Sequence, residues 1–518
     1  MGEAWQLTKG AMWGVLGIIA GMALVIRLLD PEARPVHTDE AVHAVILGAM
    51  LEGGIYRYNP WDCHGPTLYF LAAPILTACG ASSLAEMQAW QLRLLPALAG
   101  TANVLIAGMF APYLGRVAAI GAALFLALAA PVVYYDRYFI HETLFLTFTL
   151  LFFAACLRLY DSGASFVNVV LIAGYASLLI CTKETAVITF AAVGLAAFAA
   201  LGGRDELVRL YKSLYCREVW WHLLIMGGAA LVVFSFVFVL LYTSFGYHWG
   251  GLADTPGAVP RFVQRAGGEG HEKPSFTYAV WLLAPGRFSA GWAGWSLLVL
   301  GVGAVLMEWE RPAVRFLAGV VLATLVIYSA IPYKTPWLVL TFVGPACLVA
   351  GAGAVALFAA ARKRLHNRVL CIAAMVLGGG LIWQLGGETR RLCFDDPADD
   401  RNPLAYSPTV ADVARVEPWL LERVRSFDAR AATTEGYGAV LYVIGADYWP
   451  LPWYLRRFKY VGYWTHVPEG KAIPQAVICS SDALEVVQTW LGPGWQVFPV
   501  GLRPGVLVYV LTREGGSR

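Results

Sequence analysis

The chain has 518 residues, 58% hydrophobic and only 14% charged, with a mean hydropathy of +0.60. So little polar material cannot cover a soluble surface of this size, which excludes an ordinary globular protein and leaves a polytopic membrane protein. The net charge of +3 is dispersed and forms no basic stripe, so nothing in it points to nucleic acid as a partner.

The first apolar run, residues 11–29, follows Lys9 and is not followed by a small-residue cleavage site, so it is expected to remain as an uncleaved first helix. Further apolar segments lie near 66–80, 93–113, 117–135, 142–158, 166–182, 187–201, 221–243, 290–308, 312–331, 337–360 and 369–386. Most approach the length of about 20 residues that a helix needs to cross a bilayer. Segment 66–80 is short and carries Pro74 in its middle, so an interfacial or re-entrant helix is expected there, and eleven spans remain. Basic residues gather at Arg116, at Arg158, in Arg204, Arg209, Lys212 and Arg217, at Arg311 and Arg315, and from Arg362 to Arg368. With eleven spans these loops all fall on the cytoplasmic side, by the rule that short inner loops carry the excess Lys and Arg. Nine cysteines without a CxxC pair indicate neither a disulfide framework nor a zinc site.

Four polar clusters then fall on the outer side: His37-Thr38-Asp39-Glu40, Asp136-Arg137 with His141-Glu142, Lys183-Glu184, and Lys334-Thr335-Pro336-Trp337. Ionisable residues are expensive near lipid, so their convergence predicts one chamber. In the first cluster Asp39 and Glu40 can deprotonate a hydroxyl or hold a divalent ion. They can equally be a helix start, with Thr38 or Asp39 capping residues 40–51. His37 and His43 are further ligand candidates. In the second cluster Glu142 can join Asp39 as a metal or substrate carboxylate, and Arg137 can take a phosphate bidentately. The alternative is an Asp136–Arg137 ion pair within an interfacial aromatic belt. Lys183, Lys334 and His64 add positive charge for an anionic leaving group, although Lys183 can simply pair with Glu184.

Residues 244–289 form an outward loop long enough to cover the chamber. Beyond residue 387 the composition changes. A polar linker at 395–400 leads to a predicted helix at 410–426, strands at 439–444, 476–479 and 506–511, and a helix at 483–491, which together read as a small α/β domain. The run Asp447-Tyr-Trp-Pro-Leu-Pro-Trp-Tyr-Leu-Arg456 offers aromatic faces for a sugar or for packing against the membrane domain.

The acidic pair after the first span, the His64-Gly65-Pro66 turn, the Arg137 to Glu142 turn and Tyr333-Lys-Thr-Pro-Trp337 together resemble the membrane-embedded GT-C glycosyltransferases. The match is to the dolichyl-phosphate-mannose protein mannosyltransferase-like group, of the family 39 type. The wording of His37-Thr-Asp-Glu-Ala41 and of the 447–456 run is similar to its flippase-activity-associated subgroup. The resemblance implies a GT-C fold of about eleven transmembrane helices, with interfacial helices in the first outer loop, at 41–52 and 66–80. It also implies a division into a membrane domain, 1–386, and an extracytoplasmic α/β domain, 387–518. The implied activity is transfer of a sugar from a polyprenyl-phosphate donor to a hydroxyl of a glycan, lipid or protein acceptor at the outer face of the plasma membrane. Asp39, Glu40 and Glu142 are then the catalytic acids. His64, Arg137, His141, Lys183, Lys334 and Trp337 bind substrate, and Asp39 with Glu142 forms the candidate site for Mg, Mn or Zn. His64 stands where some relatives carry Lys, which makes phosphate binding there pH-sensitive. The rivals are a flippase-like protein that binds a lipid-linked sugar without cleaving it, and a non-catalytic membrane subunit. Clustering of the charges at one face, rather than at broken helices in mid-membrane, favours the enzyme.

Overall fold

A computed structural model describes residues 7–61, 64–200, 217–425 and 437–513. Among the described residues eight helices are long and apolar enough to cross a membrane: Lys9–Leu28, Ala89–Leu114, Glu142–Ser162, Trp220–Tyr242, Gly291–Glu308, Pro312–Ala330, Pro336–Arg362 and Asn367–Asp395. Three shorter apolar helices, Arg116–Leu128, Phe166–Ile180 and Ala186–Ala200, coincide with the other segments expected to span. The chain is a multi-pass membrane protein. Within Trp220–Tyr242 the most apolar 18-residue stretch has no residue buried by protein, as befits a helix that faces lipid on most sides, while Tyr242 at its end is buried.

The basic ends of the helices meet at one end of the bundle. Arg116 donates to the Leu7 carbonyl (2.6 Å), Arg311 to that of Leu114 (3.2 Å) and Arg315 to that of Ala200 (2.8 Å). These contacts require an even number of crossings between residue 7 and Arg116. Helix α1 (Lys9–Leu28) and the helix that begins at Ala89 supply two. The apolar piece between them, α3 (Thr67–Ala78), has 12 residues and is about 18 Å long at 1.5 Å per residue, too short for the ~30 Å hydrocarbon core. The stretch Arg204 to Lys212 lies outside the described residues.

The opposite end carries α2 (Thr38–Gly53) and α3. It is stitched together by charges that the chain buries. Asp136 pairs with Arg27 at 2.6 Å, both fully buried, and packs so closely on Gly100 that a Cβ there would meet its carboxylate at 2.2 Å. Glu388 accepts from Trp292 N (2.9 Å) and Ala293 N (3.1 Å), which satisfies two orphan amides in the first turn of Gly291–Glu308. The tyrosines expected in an interfacial belt are buried instead. Tyr134 and Tyr135 donate to the Pro397 and Leu404 carbonyls (2.7 and 2.8 Å) and so fasten the linker to the bundle.

After the linker, Ala411–Arg425 is helical and leads into a five-stranded sheet. Its strands are β1 (Val440–Ile444), β2 (Tyr460–Trp464), β3 (Ala476–Ser480), β4 (Trp495–Arg503) and β5 (Val506–Arg513), in the order β2-β1-β3-β5-β4. The β1 pairings with β2 and β3 are parallel and the rest antiparallel, with the helix Leu484–Leu491 between β3 and β4. The Pro450–Arg456 run packs rather than lying open. Trp453 and Tyr454 are buried, Tyr454 Oη accepts from Val36 N (2.9 Å), and Arg456 donates to the Met87 carbonyl (3.1 and 3.2 Å). This clamps the sheet domain onto the segment between α1 and the helix that begins at Ala89.

Candidate active site

A cavity of about 480 Å³ opens between α2, the bundle, the 250–273 loop and the linker. Its floor is built by two turns that interlock. Gly65 N and Thr67 N donate to the Thr182 and Cys181 carbonyls (both 3.2 Å), and a Cβ on Gly65 would meet Cys181 O at 2.1 Å. Only glycine permits this approach, and it delivers His64 to Glu184, with Nδ1 and Oε2 2.7 Å apart. Burial alone would raise the Glu184 carboxyl, but the facing His64 holds it below its ordinary value. Beside this pair Lys183 Nζ donates to Glu142 Oε1. The expected Lys183–Glu184 neighbour pair is therefore replaced by two pairs across the turns. Adjacent residues on a turn point apart, so each finds its partner on another element.

His141 donates through Nε2 to the Gly65 carbonyl (3.0 Å), which leaves a buried Nδ1 without a partner among the described residues. Its ring stands edge-on to His43 (4.8 Å between centroids) and His64 (5.4 Å). Burial keeps His43 neutral, pulling its pKa down to about 3. At the start of α2 the cap is His37, not Thr38 or Asp39. Its Nδ1 accepts from Asp39 N (3.1 Å) while Glu40 returns to His37 N (3.1 Å), a capping box. His37 Nε2 lies 2.7 Å from the Tyr406 carbonyl, which can only accept, so the imidazole is the neutral Nε2–H form.

The structure thus brings His37, Asp39, His43, His64, His141, Glu142, Lys183 and Trp337 to one cavity. Three expected site residues do not line it. Glu40 is buried and held bidentately by Arg93 (2.9 and 2.7 Å), and it also accepts from Phe139 N (3.1 Å). With its oxygens filled it is an anchor that fixes the turn carrying His141 and Glu142. Arg137 points away from the cavity and pairs with neither a phosphate site nor Asp136. Its guanidinium takes the carbonyls of Ile26, Arg27, Leu29 and Asp30 (2.6 to 3.1 Å) and lies over Phe394. It therefore closes the C-terminus of α1, where orphan carbonyls and the helix dipole favour a cation. Lys334 is buried and donates to the Ile331 carbonyl. Its neighbours do the lining: Tyr333 forms a β-bridge with Glu272, which pins the 250–273 loop, and Tyr333 and Trp337 face the cavity.

Besides the expected His64 and Lys183, further cations that sequence reasoning did not assign to the site face the cavity. The helix Ala258–Ala266 covers it with Arg261, Phe262 and Arg265, while Val259 and Val263 on its other side are exposed. The i, i+4 spacing of the two arginines was the available signal. Arg261 pairs with Glu269 at 2.5 Å. Tyr406, Ser407 and Arg503 complete the rim. The candidate metal pair does not fit a divalent ion. Glu142 is committed to the Lys183 ammonium, and among the described residues no three His, Cys, Asp or Glu side chains converge as ligands.

Replacing Arg137 by Lys is expected to leave donor affinity within about twofold and to lower thermal stability by about 1–3 kcal/mol, because an ammonium cannot span four carbonyls. Thermal unfolding in detergent alongside a donor-binding titration checks both. A large loss of donor affinity in a normally stable variant would return Arg137 to the phosphate site.

No family model matches the chain, and no curated protein matches it. Solved structures do. ArnT from Cupriavidus metallidurans superposes on 96% of this chain and over 98% of its own, at 16% identity, with a TM-score of 0.63 in the apo state and 0.60 bound to undecaprenyl phosphate. The chain has a GT-C fold. A second GT-C protein agrees: the oligosaccharyltransferase AglB from Archaeoglobus fulgidus, in its apo form, covers 95% of this chain and 70% of its own, at 12% identity and a TM-score of 0.57. Its complex with an inhibitory peptide and a dolichol-phosphate gives a TM-score of 0.55 at 13% identity, over 88% of this chain and 64% of that one. The GT-C architecture implied by the motifs, a helical membrane domain followed by a sheet domain, is the one observed.

Proposed function

We propose that this chain is a glycosyltransferase that moves a sugar from a polyprenyl-phosphate carrier to a hydroxyl acceptor, working at the outer face of the plasma membrane. In this reading the three shorter apolar helices also span, which makes eleven, and the sheet domain is extracytoplasmic. The observation that carries the proposal is the state of the acids in the cavity. Of Asp39, Glu142, Glu184 and Glu269, the last three are engaged by Lys183, His64 and Arg261. Among the described residues the one candidate ion-pair partner of Asp39 is the neutral His37, whose Nδ1 is 3.9 Å from its Oδ2 and already accepts from its backbone. One free carboxylate among neutralised ones is what a general base requires.

In the reaction Asp39 takes the proton as the acceptor oxygen attacks the anomeric carbon. The bond from that carbon to the phosphate oxygen breaks, and the polyprenyl phosphate leaves with the electron pair. Displacement in one step inverts the anomeric centre. Arg261 and Arg265 stabilise the leaving phosphate from above, and Lys183 and His64 supply positive charge from the floor. No step is routed through a metal. The lipid-phosphate ligands of ArnT and AglB support a donor of this class.

The test uses purified protein in nanodiscs with undecaprenyl phosphate and a polyprenyl-phosphate sugar. The Arg261→Ala/Arg265→Ala pair is expected to weaken lipid-phosphate binding by at least roughly tenfold, the loss of one or two charge-assisted hydrogen bonds. Donor bound by the wild-type protein but never cleaved, with a range of acceptors, would leave the flippase-like reading.

A further inference from the structure

The outer end of the cavity is not used by the chemistry above. Here the C-terminal sheet contributes a side chain, Arg503, beside Tyr406 and Ser407 of the linker and with Trp337 in the same lining. Local structure aims it. Strand β4 keeps register with β5 as far as Gly501, opposite Leu507, and then slips so that Arg503 meets Val506 and Leu502 is left over. A bulge of this kind bends the strand and redirects the next side chain. The Leu502 carbonyl accepts from Val410 N (3.2 Å), which ties the bulge to the linker. Ser407 holds a left-handed backbone (φ 43°), a conformation that a residue with a side chain adopts only when its surroundings impose it.

Arg503 is only partly satisfied. One terminal nitrogen donates to Asp447, whose side chain is 53% exposed, while its Nε is buried without a partner among the described residues. A guanidinium is a planar fork that matches a carboxylate or phosphate through two parallel N–H donors. Exchange of Asp447 for an incoming anion would engage the idle Nε–H and release Asp447 to solvent. The place of this fork matters. The Tyr406 carbonyl is bonded to His37, which caps the helix carrying Asp39, so a ligand extending from Arg503 over Tyr406 leads to the free carboxylate. In the proposed function the lipid-linked donor, in contrast, has its phosphate between the covering helix and the floor.

We infer that this end of the cavity is the acceptor subsite and that it selects an acceptor bearing an anionic group, a carboxylate or a phosphate, on a sugar that packs against Tyr406 and Trp337. The word acceptor rests on the glycosyltransferase reading; the anion site does not.

The test measures equilibrium binding to the full-length protein in nanodiscs, using three oligosaccharides that differ only at the terminal sugar: glucosyl, glucuronyl and 6-phosphoglucosyl. The wild-type protein is expected to bind one or both acidic probes at least roughly tenfold tighter than the neutral one, and the preferred acidic probe distinguishes carboxylate from phosphate. Arg503→Ala should abolish that preference while leaving neutral-probe and undecaprenyl-phosphate binding unchanged, which shows that the variant is folded. Asp447→Asn should tighten the acidic probes by a few-fold, because it removes the competing carboxylate. An ion pair with a merely structural role predicts that both variants lose binding alike. Equal affinity of the wild-type protein for all three probes, or a preference that survives Arg503→Ala, overturns the inference. Acidic preference in a protein that neither binds undecaprenyl phosphate nor transfers sugar would overturn the proposed function and leave the anion site standing.

Discussion

Replacing Asp39 by Asn is expected to lower sugar transfer at least ~10²-fold while donor binding stays near wild type, because the amide cannot accept the acceptor proton. The substitution is also a clean one. The Asp39 side chain is 38% exposed and the cap of α2 uses only its backbone N–H, so the helix start survives. Steady-state transfer from a polyprenyl-phosphate sugar, with donor affinity measured separately, checks the split between turnover and binding. Asp39→Glu should keep part of the activity, since it retains a base at an altered reach. Full transfer by the Asn variant would remove Asp39 from the mechanism and with it the main support for an enzyme.

The next largest effect is expected at Glu40, and it is an effect on stability. Glu40→Gln leaves Arg93 buried against neutral oxygens, and breaking one side of a buried pair typically costs about 3–5 kcal/mol. A lowered thermal midpoint and poor yield, with near-normal turnover per folded molecule, is the expected pattern. The double variant Glu40→Gln/Arg93→Met should recover much of the loss, because it removes the orphaned charge. Wild-type stability with lost turnover would instead return Glu40 to the catalytic set. The acid limb follows from the same pair. Burial opposes ionisation of Glu40, but Arg93 and Arg34 outweigh it and hold the carboxyl below the usual range. A carboxyl whose folded pKa is depressed stabilises fully above its unfolded value of about 4.3, and loses that contribution only as the pH falls through the folded one.

Most of the membrane domain was legible because hydropathy is a property of the residues themselves. Segment positions, the shortness of the 66–80 piece and the gathering of His64, Glu142 and Lys183 on one cavity all came from it. Charge partnership was not legible, because it depends on where distant elements meet. Asp136 and Arg137 are neighbours in sequence, yet their partners are Arg27 and the end of α1. Lone arginines inside apolar runs, Arg27 and Arg93, gave no sign that each awaited a buried acid. The sheet shows the same boundary. The inner strands β1, β3 and β5 were read from continuous apolar runs, whereas β2 and β4 were missed, and these are the two edges. Edge strands are half-buried and tolerate breakers, and β4 carries Pro499 and Gly501.

The clamp between the sheet domain and the segment that follows α1 also sets when the site can exist. Val36 and its partner Tyr454 are 418 residues apart, and Met87 and Arg456 are 369 apart. Synthesis is vectorial, so the bundle and its histidine floor are laid down long before the segment that holds α2 against them. Contacts of such separation close late and carry the entropy of a long loop. A ribosome-bound chain that has threaded every apolar segment is therefore still an open cup. Asp39 reaches its final setting only when the C-terminal strands have folded and docked, so the finished cavity is itself the signal that the sheet domain is in place.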